Sequence, residues 1–331
     1  MLIRNVVLPV LSCGALAVTE TEAQVTITSG DMFNKIGQYY RVYSNLPGEE
    51  VDVSDLILEA GEDQVWDFTD GPDEETIRFD YIDVDDSGSG DIFEDAAFVE
   101  RATYESDESK KLLFLKQVTG RGRMVYGFRD ESIDPINPDV PFTVPLNDFP
   151  NVIQYQDQWT ASTVWETVTR SELLGDLEVP TRYAYRSEME VDAYGIVILP
   201  ELGFDDCLRI NELVTYKVSV DLTGGFQEIA TYFTRNYYWL SKNKGIVAQM
   251  TSAEDSVPPP DEYSAAIAFW RQFENNHKEV DEQPMPVQGL KITLDAKNSR
   301  VLLSWNKTKN TTGYRVEYTR SLGQPDGWIN L

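Results

Sequence analysis

One stretch of the chain has residue types and spacing suited to holding a cation. From Asp83 to Glu94 the sequence is DVDDSGSGDIFE. Counting from Asp83, side-chain oxygens fall at positions 1, 3, 5, 9 and 12, Ser89 at position 7 offers a backbone carbonyl, and Gly88 stands at position 6. Hard oxygen ligands repeated in this way suit Ca²⁺. The sequence therefore predicts a candidate calcium site with the ligands Asp83, Asp85, Ser87, Ser89, Asp91 and Glu94.

The match is to the calcium loop of EF-hands, and two departures weaken it. Position 8 is Gly90, where that loop has an apolar residue, and the preceding segment Ile77–Tyr81 alternates like a strand instead of a helix. The alternative interpretation is a solvated acidic hairpin loop, because Asp, Ser and Gly are usual loop residues. We favour the loop interpretation. If Ca²⁺ does bind, its expected role is structural, namely to stiffen this segment. No other cofactor is expected.

Histidine and cysteine chemistry is close to excluded. The chain has one His and two Cys, which are too few for the usual zinc ligand sets. His277 lies in a polar stretch, so we expect it to be a solvated linker residue outside any catalytic triad. Cys207 follows Asp205 and Asp206, whose charges would raise the pKa of its thiol, so we expect a structural thiol.

Net charge narrows the range of partners. The formal charge is −28 at pH 7, and acidic residues occur throughout the chain. Such a body repels phosphate backbones and anionic membrane surfaces, so nucleic acid is not expected as a partner. The chain also lacks a phosphate-loop motif and a dinucleotide fingerprint. Paired carboxylates for glycoside hydrolysis stay open, although no pair can be selected from so many acids.

The first residues have the order of a secretory signal. Arg4 provides the positive end, Val6–Val18 is almost wholly apolar, and a Thr-Glu-Ala triplet at 21–23 offers a cleavage site. The apolar run has 13 residues, whereas a spanning helix needs about 18 or more. We expect residues 1–23 to be a cleaved signal peptide, and the mature chain to be extracellular or in the cell envelope without a transmembrane segment. A lipoprotein anchored at Cys13 is the less favoured alternative.

Alternation of apolar and polar residues predicts strands over most of the chain. The longest run is 208–220, where Glu212 and Leu213 interrupt the alternation and a bulge would explain both. Many short strands joined by tight turns predict an all-β large domain, residues 24–256, built as an antiparallel sheet or sandwich. Further strands are predicted at Tyr39–Tyr43, Ile77–Tyr81, Phe98–Tyr104, Leu112–Val118, Met124–Phe128, Trp159–Val168, Val179–Tyr185, Met189–Leu199, Ile229–Leu240 and Ile246–Thr251.

Two segments depart from this pattern. Five prolines between 135 and 150 cannot donate to a central ladder, so an extended surface loop in polyproline conformation is predicted there. After three prolines at 258–260, the apolar residues have helical spacing. Residues 257–283 are therefore predicted to form one capping helix and a polar linker. The helical positions are Tyr263, Ala266, Ile267, Trp270 and Phe273.

The last residues, 284–331, resemble a fibronectin type III domain. Residues 290–294 fit its strand A, residues 301–305 its strand B with Trp305 as the core tryptophan, and residues 313–318 its strand C. A full domain of this kind has roughly 100 residues. The resemblance therefore implies an incomplete fibronectin type III-like β-sandwich.

A looser resemblance concerns the large domain. The sequences YGIVILP at 194–200, CLRI at 207–210 and YWLS at 238–241 are similar to a β-rich region of multidomain secreted bacterial proteins of unknown function. This resemblance implies an envelope or extracellular location and no catalytic residue.

These observations favour a secreted or cell-surface binding or scaffolding protein without catalysis, whose partner is a protein or carbohydrate at the cell surface. One alternative is an extracellular carbohydrate-active enzyme, which needs two converging acids in a cleft, at least one with a raised pKa. The other is an envelope carrier that holds an apolar ligand in a curved sheet, which needs a large cavity lined by apolar and aromatic side chains.

Overall fold

The chain folds as an all-β protein. The computed structural model describes residues 25–57, 59–130, 138–171, 177–222, 224–278, 290–295, 300–304, 317–319 and 328–330. Two single 3-10 turns occur, at Ser29–Asp31 and Asp85–Ser87. In the described ranges no helix is both long enough and apolar enough to cross a membrane. The strands are β1 (Ile27–Thr28), β2 (Tyr39–Ser44), β3 (Val51–Asp52), β4 (Gly61–Asp67), β5 (Glu75–Ile82), β6 (Phe98–Tyr104), β7 (Asp107–Thr119), β8 (Gly122–Asp130), β9 (Asp139–Pro150), β10 (Val152–Ile153), β11 (Gln158–Ser171), β12 (Leu177–Leu199), β13 (Gly203–Asp221), β14 (Phe226–Ser241), β15 (Gly245–Ser252), β16 (Ala265–Asn275), β17 (Lys291–Asp295), β18 (Arg300–Ser304), β19 (Glu317–Thr319) and β20 (Trp328–Asn330).

Most strands belong to one continuous sheet. Its order is β11-β12-β13-β14-β15-β16-β2-β5-β6-β7-β8-β9, and neighbours along this path are antiparallel. β3 pairs with the start of β16, and β4 lies parallel to the end of β12. The prediction of an all-β domain is confirmed, with β4 as a parallel addition to a sheet expected to be antiparallel.

The central strands are longer than the sequence predicted. β12 has 23 residues and β13 has 19, and they stay paired along almost their whole length. The predicted strands 179–185 and 189–199 are therefore one strand. The predicted bulge at Glu212 and Leu213 is wrong, because the register is continuous there and shifts instead at Val191 and after Val218.

The sheet curls until its two edge strands meet. The described residues of β9 and β11 form no backbone ladder, but Thr163 Oγ1 donates to the Val144 carbonyl at 2.7 Å and Trp159 Nε1 to the Asp148 carbonyl at 3.3 Å. This contact covers two edges that would otherwise be open to pairing with another chain. The apolar cluster at this seam contains Val125, Leu146 and Ala161, with Phe114, Phe142 and Tyr185 packed against them.

The first described residues fill part of the interior. Ile27 and Met32 are buried with apolar side chains of β12, β13 and β14. Phe33 packs near Tyr40 of β2 and Tyr81 of β5, with ring centroids 4.9 and 5.6 Å away. This end of the interior is therefore a packed core, built by burial of apolar surface.

A second core lies on the opposite face of β13–β16. Residues 51–57 and 59–68 cross this face, where Trp66 and Phe68 pack edge-on against Trp239 with ring centroids 5.9 and 4.9 Å away. Cys207 is fully buried in this core. Burial, followed by the charges of Asp206 and its neighbour, raises the pKa of the Cys207 thiol well above its ordinary value. That is the environment of a structural thiol.

The capping helix predicted within 257–283 is wrong. Ala265–Asn275 forms β16, a strand between β15 and β2 in the middle of the sheet. Phe269 faces the second core, and Trp270 faces the interior of the curled sheet. Because both faces of β16 are covered, apolar residues occur at both parities, and their spacing imitates a helical period.

The polar stretch predicted as a solvated linker begins inside the fold. Asn276 Oδ1 accepts a hydrogen bond from the Tyr39 amide at 2.6 Å. His277 is 1 % exposed, lies edge-on to Phe33 at 5.1 Å, and has Nε2 3.3 Å from the Met32 carbonyl oxygen. The expectation of a solvated His277 is therefore wrong, because the N-terminal residues fold over it. Residues 279–283 lie outside the described ranges.

The proline-rich loop prediction is also wrong for the part that the structure describes. Asp139–Pro150 forms β9, which pairs with β8 through two register shifts. β9 lies at the edge of the sheet path, where a proline is tolerated because its missing N–H is not needed by a second neighbour. Pro135 lies outside the described ranges.

The expected fibronectin-like tail is described in part. β17 pairs antiparallel with β18, and β19 pairs antiparallel with β20. Trp305 and residues 313–316 lie outside the described ranges, as do residues 1–23 with Cys13. The fibronectin resemblance, the signal peptide and the lipoprotein alternative therefore stay predictions.

Replacing Gly195 is expected to loosen the contact between β4 and β12. A Cβ in Gly195→Ala would lie 1.9 Å from the Gln64 carbonyl oxygen, a backbone atom that cannot swing aside. We expect a loss of about 2–4 kcal/mol in the free energy of unfolding, measured in urea. The control is Gly120→Ala, where a Cβ meets nothing within 4 Å. Equal stabilities of the two variants would contradict the close approach.

The His277 ring is expected to titrate below pH 6.5. Burial, the largest cause, disfavours the imidazolium and lowers the pKa of His277 from its ordinary value of 6.5. As the pH falls below about 6.5 the unfolded chain binds the proton first, so this contribution to stability is lost toward acid pH. The chain has one His, so a proton NMR titration of its ring measures the pKa directly. A midpoint at or above 6.5 would contradict the expected effect of burial on this ring.

Candidate functional site

The curled sheet contains a cavity of about 450 Å³. Its wall is built from inward-facing side chains of eight strands, β6–β9 and β11–β14. Side chains of a strand alternate between faces, so each long strand contributes several residues to the same space. The cavity has an aromatic wall and a polar wall, which are described in turn.

The aromatic wall centres on Trp165 of β11. The centroid of its ring lies 5.4 Å from that of Phe142, 6.0 Å from that of Phe128, and 6.3 Å from those of Tyr185 and Tyr216. Tyr185 and Tyr216 meet edge to face at 5.2 Å. Tilted and edge-to-face contacts of this kind stabilise aromatic clusters. Trp165, Tyr185 and Tyr216 are only half-buried, so part of each ring can contact a ligand.

The aromatic wall continues beyond the cavity. Trp165, Val214, Tyr216 and Asn236 also line a neighbouring hollow of about 720 Å³. In that hollow Tyr183 stacks on Trp165 with ring centroids 5.4 Å apart. The two spaces therefore share a wall, and a ligand that outgrows the cavity still meets aromatic surface.

The polar wall contains a buried carboxylate. Glu212 is 3 % exposed and lies on the same face of β13 as Val214. Its Oε1 accepts from Ser187 Oγ and, at 3.1 Å, from Tyr185 OH. Its Oε2 accepts from Tyr238 OH at 2.7 Å and from Asn236 Nδ2 at 2.8 Å. All four donors are neutral groups, so Glu212 is held by hydrogen bonds without a basic partner.

The tyrosines around this carboxylate stay neutral. Burial is the largest cause that raises the pKa of Tyr185 and Tyr238 well above the ordinary value, and the charge of Glu212 is the next. Both phenols therefore remain donors to the carboxylate at any physiological pH.

A second group of charges on the polar wall is balanced internally. Lys116 Nζ lies 3.1 Å from Glu100 Oε2 and 3.6 Å from Asp148 Oδ2, and Arg123 Nη2 lies 2.8 Å from the same Asp148 oxygen. Tyr81 OH also donates to Glu100. Burial opposes ionisation of Glu100, but Lys116 and Arg123 outweigh it and lower the pKa of this carboxyl. Two acids and two bases thus neutralise one another.

Sequence reasoning missed Glu212 and its partner Ser187. The sequence does mark Glu212, because it is an acidic residue at a position of the strand where the alternation calls for an apolar one. The predicted bulge accounted for this exception, so no site was predicted there. Ser187 fell in the gap between two predicted strands, and the structure places it on the inner face of β12, fully buried. A polar residue at an inward position of a long strand is the signal that could have found both.

The predicted calcium loop has the expected bend but does not group its carboxylates. Gly88 has φ 73°, as the bend requires. Ser87 Oγ donates to the Val84 carbonyl at 2.6 Å, and the buried Ser89 donates to Asp139 Oδ1 at 2.5 Å. Among the residues that the structure describes, no three His, Cys, Asp or Glu side chains could hold one metal ion. The calcium site stays a prediction.

An acidic hollow of about 570 Å³ is the place to look for the carboxylate pair that the alternative enzyme would need. Glu190, Asp192 and Asp261 are among the acids that line it. Burial raises the pKa of Asp192 against the opposing effect of Arg209. However, Arg209 Nε and Nη2 donate to the two oxygens of Asp192 at 2.8 and 3.1 Å. A carboxylate held in this way is a structural ion pair and a poor proton donor.

Comparison with known proteins adds little to this geometry. No family model matches the chain, and no curated protein matches it. Among solved structures the chain is similar to a Bacteroides fragilis protein described as a "putative exported protein with YmcC-like fold", at 10 % identity and a TM-score of 0.28, over 74 % of this chain and 97 % of that chain. A likeness of this size carries no argument. The fold and the cavity alone define the class, an all-β protein with a ligand-sized internal space.

The balanced charges predict a large cost for removing one base. Lys116→Met leaves Glu100 and Asp148 with Arg123 alone in a buried site, so we expect a loss of about 3–5 kcal/mol in the free energy of unfolding. Lys217→Met is the matched control, because Lys217 pairs with Glu228 at 3.4 Å while both side chains are about half exposed, 53 % and 51 %.

The control is expected to cost about 1 kcal/mol or less, since exposed ion pairs contribute little. Urea unfolding of the two variants measures the difference. If Lys116→Met is no more destabilising than Lys217→Met, the network is not a buried balanced unit.

Proposed function

We propose that this chain is a non-catalytic binding protein that carries an apolar or amphipathic small molecule inside its curled sheet. The observation that carries the proposal is the cavity of about 450 Å³ with Trp165 and its neighbouring rings along one wall. Ligand sites in proteins commonly measure about 300–1,000 Å³ and are lined mostly by apolar and aromatic groups with a few fixed polar ones. Both the size and the lining fit that description.

A flat recognition surface has less support. Within residues 25–278, wherever the burial of the side chain is described, no Tyr or Trp is fully exposed, and the large exposed hydrophobic side chains are aliphatic apart from Phe204. Interfaces with proteins are enriched in exposed aromatic residues, and aromatic rings are held inside the sheet here. The partner that the geometry favours is therefore a small molecule, in place of a protein or carbohydrate at the cell surface.

The carboxylate-pair enzyme also has less support. The cavity acid with a shifted pKa is Glu100, and its shift is downward. The acid with a raised pKa, Asp192, is held on both oxygens by Arg209. A general acid needs a raised pKa together with a proton free to move to the substrate.

The setting of the proposed carrier is the cell exterior or envelope. The signal-like residues 1–23 support export, and the fibronectin-like residues 284–331 support a modular extracellular chain. A calcium-stiffened loop at 83–94 is compatible with this setting and rests on the ligand spacing alone.

Filling the cavity is expected to weaken binding of an apolar probe. Val214 is 2 % exposed and lines both the cavity and the neighbouring hollow. Val214→Phe adds a ring to this space, so titration with the fluorescent probe N-phenyl-1-naphthylamine should show affinity lowered about tenfold or more.

The control is Val168→Phe, at a position on β11 that is 41 % exposed. It should bind the probe like the wild type, and circular dichroism should show both variants folded. Absence of probe binding by the wild type, or equal binding by Val214→Phe, would overturn the proposed function.

A further inference from the structure

Within the part of the chain that the structure describes, no base pairs with the Glu212 carboxylate. Its four hydrogen-bond donors are two phenols, a hydroxyl and an amide. None of the ion pairs among the described residues includes it, whereas Glu100 and Asp148 on the same wall share Lys116 and Arg123. Lys116, Arg123, Glu100 and Asp148 therefore form a neutral group on the polar wall. Glu212 lies outside that group.

The same hydrogen bonds limit how this carboxylate can interact with a ligand. Two donors reach each oxygen, which accounts for the roughly four lone-pair positions of an ionised carboxylate. Asn236 Nδ2 can only donate, and the carboxylate acceptor it faces is Oε2. No position is left for a hydrogen bond from a ligand. Glu212 can therefore attract a cation by its charge but cannot take a further N–H bond without losing one of its own.

The rings beside Glu212 suit a cation of that kind. Tyr185 joins the carboxylate through its hydroxyl, and its ring meets Tyr216 at 5.2 Å and Trp165 at 6.3 Å. Aromatic faces attract cations, and desolvated examples stabilise them by about 2 kcal/mol or more. A group of three rings beside a buried carboxylate is the chemistry that recognises an ammonium without N–H groups.

We propose that the cavity selects an organic cation with a quaternary ammonium group, whose charge lies against Glu212 and whose carbon surface contacts Trp165, Tyr185 and Tyr216. This inference rests on the proposed function, since it names the chemical class of the carried ligand. A fatty acid or another organic anion is disfavoured, because its charge would face the unbalanced carboxylate. Glu212 contributes its charge without a hydrogen bond, and the rings contribute both shape and cation–π attraction.

The experiment compares two ligands of nearly equal shape on the whole chain. Benzyltrimethylammonium carries the charge, and neopentylbenzene has carbon in place of nitrogen and is neutral. Titration calorimetry or competition against N-phenyl-1-naphthylamine at fixed salt gives both affinities. We expect the wild type to bind the cation about tenfold more tightly than the neutral compound.

Variants locate the source of this preference. Glu212→Gln keeps the shape and can keep the hydrogen bonds, because the hydroxyls of Tyr185 and Ser187 can turn to accept from the new amide. It should remove most of the preference for the cation and leave only the part that the rings supply. The control for net charge is Glu228→Gln, an exposed position paired with Lys217, which should keep the preference.

Each outcome separates the inference from the proposed function. If both compounds bind the wild type equally, or Glu212→Gln keeps the full preference, the inference is wrong and the carrier proposal stands. If neither compound nor the probe binds, the carrier proposal itself is wrong. Should Glu212→Gln fail to fold, Tyr185→Phe decides, because it keeps the charge and the ring; loss of the preference in that variant would overturn recognition by charge.

Discussion

The contact between the edge strands β9 and β11 determines what the rest of this structure can be. A sheet this long would leave one of its faces uncovered if it stayed flat, so it forms a packed core only by curling. The curl ends where Thr163 and Trp159 of β11 donate hydrogen bonds to carbonyls of β9. Side chains pointing inward then face one another across a shared interior space. The N-terminal residues fill one part of that space with Ile27, Met32 and Phe33, and no described segment fills the rest.

The sequence predicted strands well where one face of the strand is exposed to solvent and the other is buried. β6 has the bounds predicted for it, Phe98–Tyr104, and β2 and β15 extend the predicted bounds by one residue at one end or both. The prediction failed where that asymmetry is absent. β16 is buried on both faces, so Phe269 and Trp270 are both apolar and the alternation disappears. β9 carries prolines that only an edge position tolerates.

The candidate site could not be predicted from the sequence, and the reason is different. Its residues come together through pairing between strands, which leaves no local pattern. Glu212 meets Asn236 because β13 and β14 pair in that register, and it meets Ser187 across the β12–β13 pair. Each of these residues, taken alone, interrupts an otherwise regular strand pattern. Together they form one polar cluster on the inner face of three neighbouring strands.

The energetics of burial separate Glu212 from the other buried charges. Moving a carboxylate from water into a protein interior costs several kcal/mol, and a basic partner normally offsets that cost. Asp192 forms an ion pair with Arg209, and Glu100 forms one with Lys116. The burial of these two carboxylates is therefore explained by their ion pairs. Glu212 has four neutral donors instead, and an aliphatic residue at its position would avoid the cost altogether. A fold selected for stability alone has no use for this charge. Its presence beside a ring-lined cavity is explained when the missing positive charge belongs to a ligand.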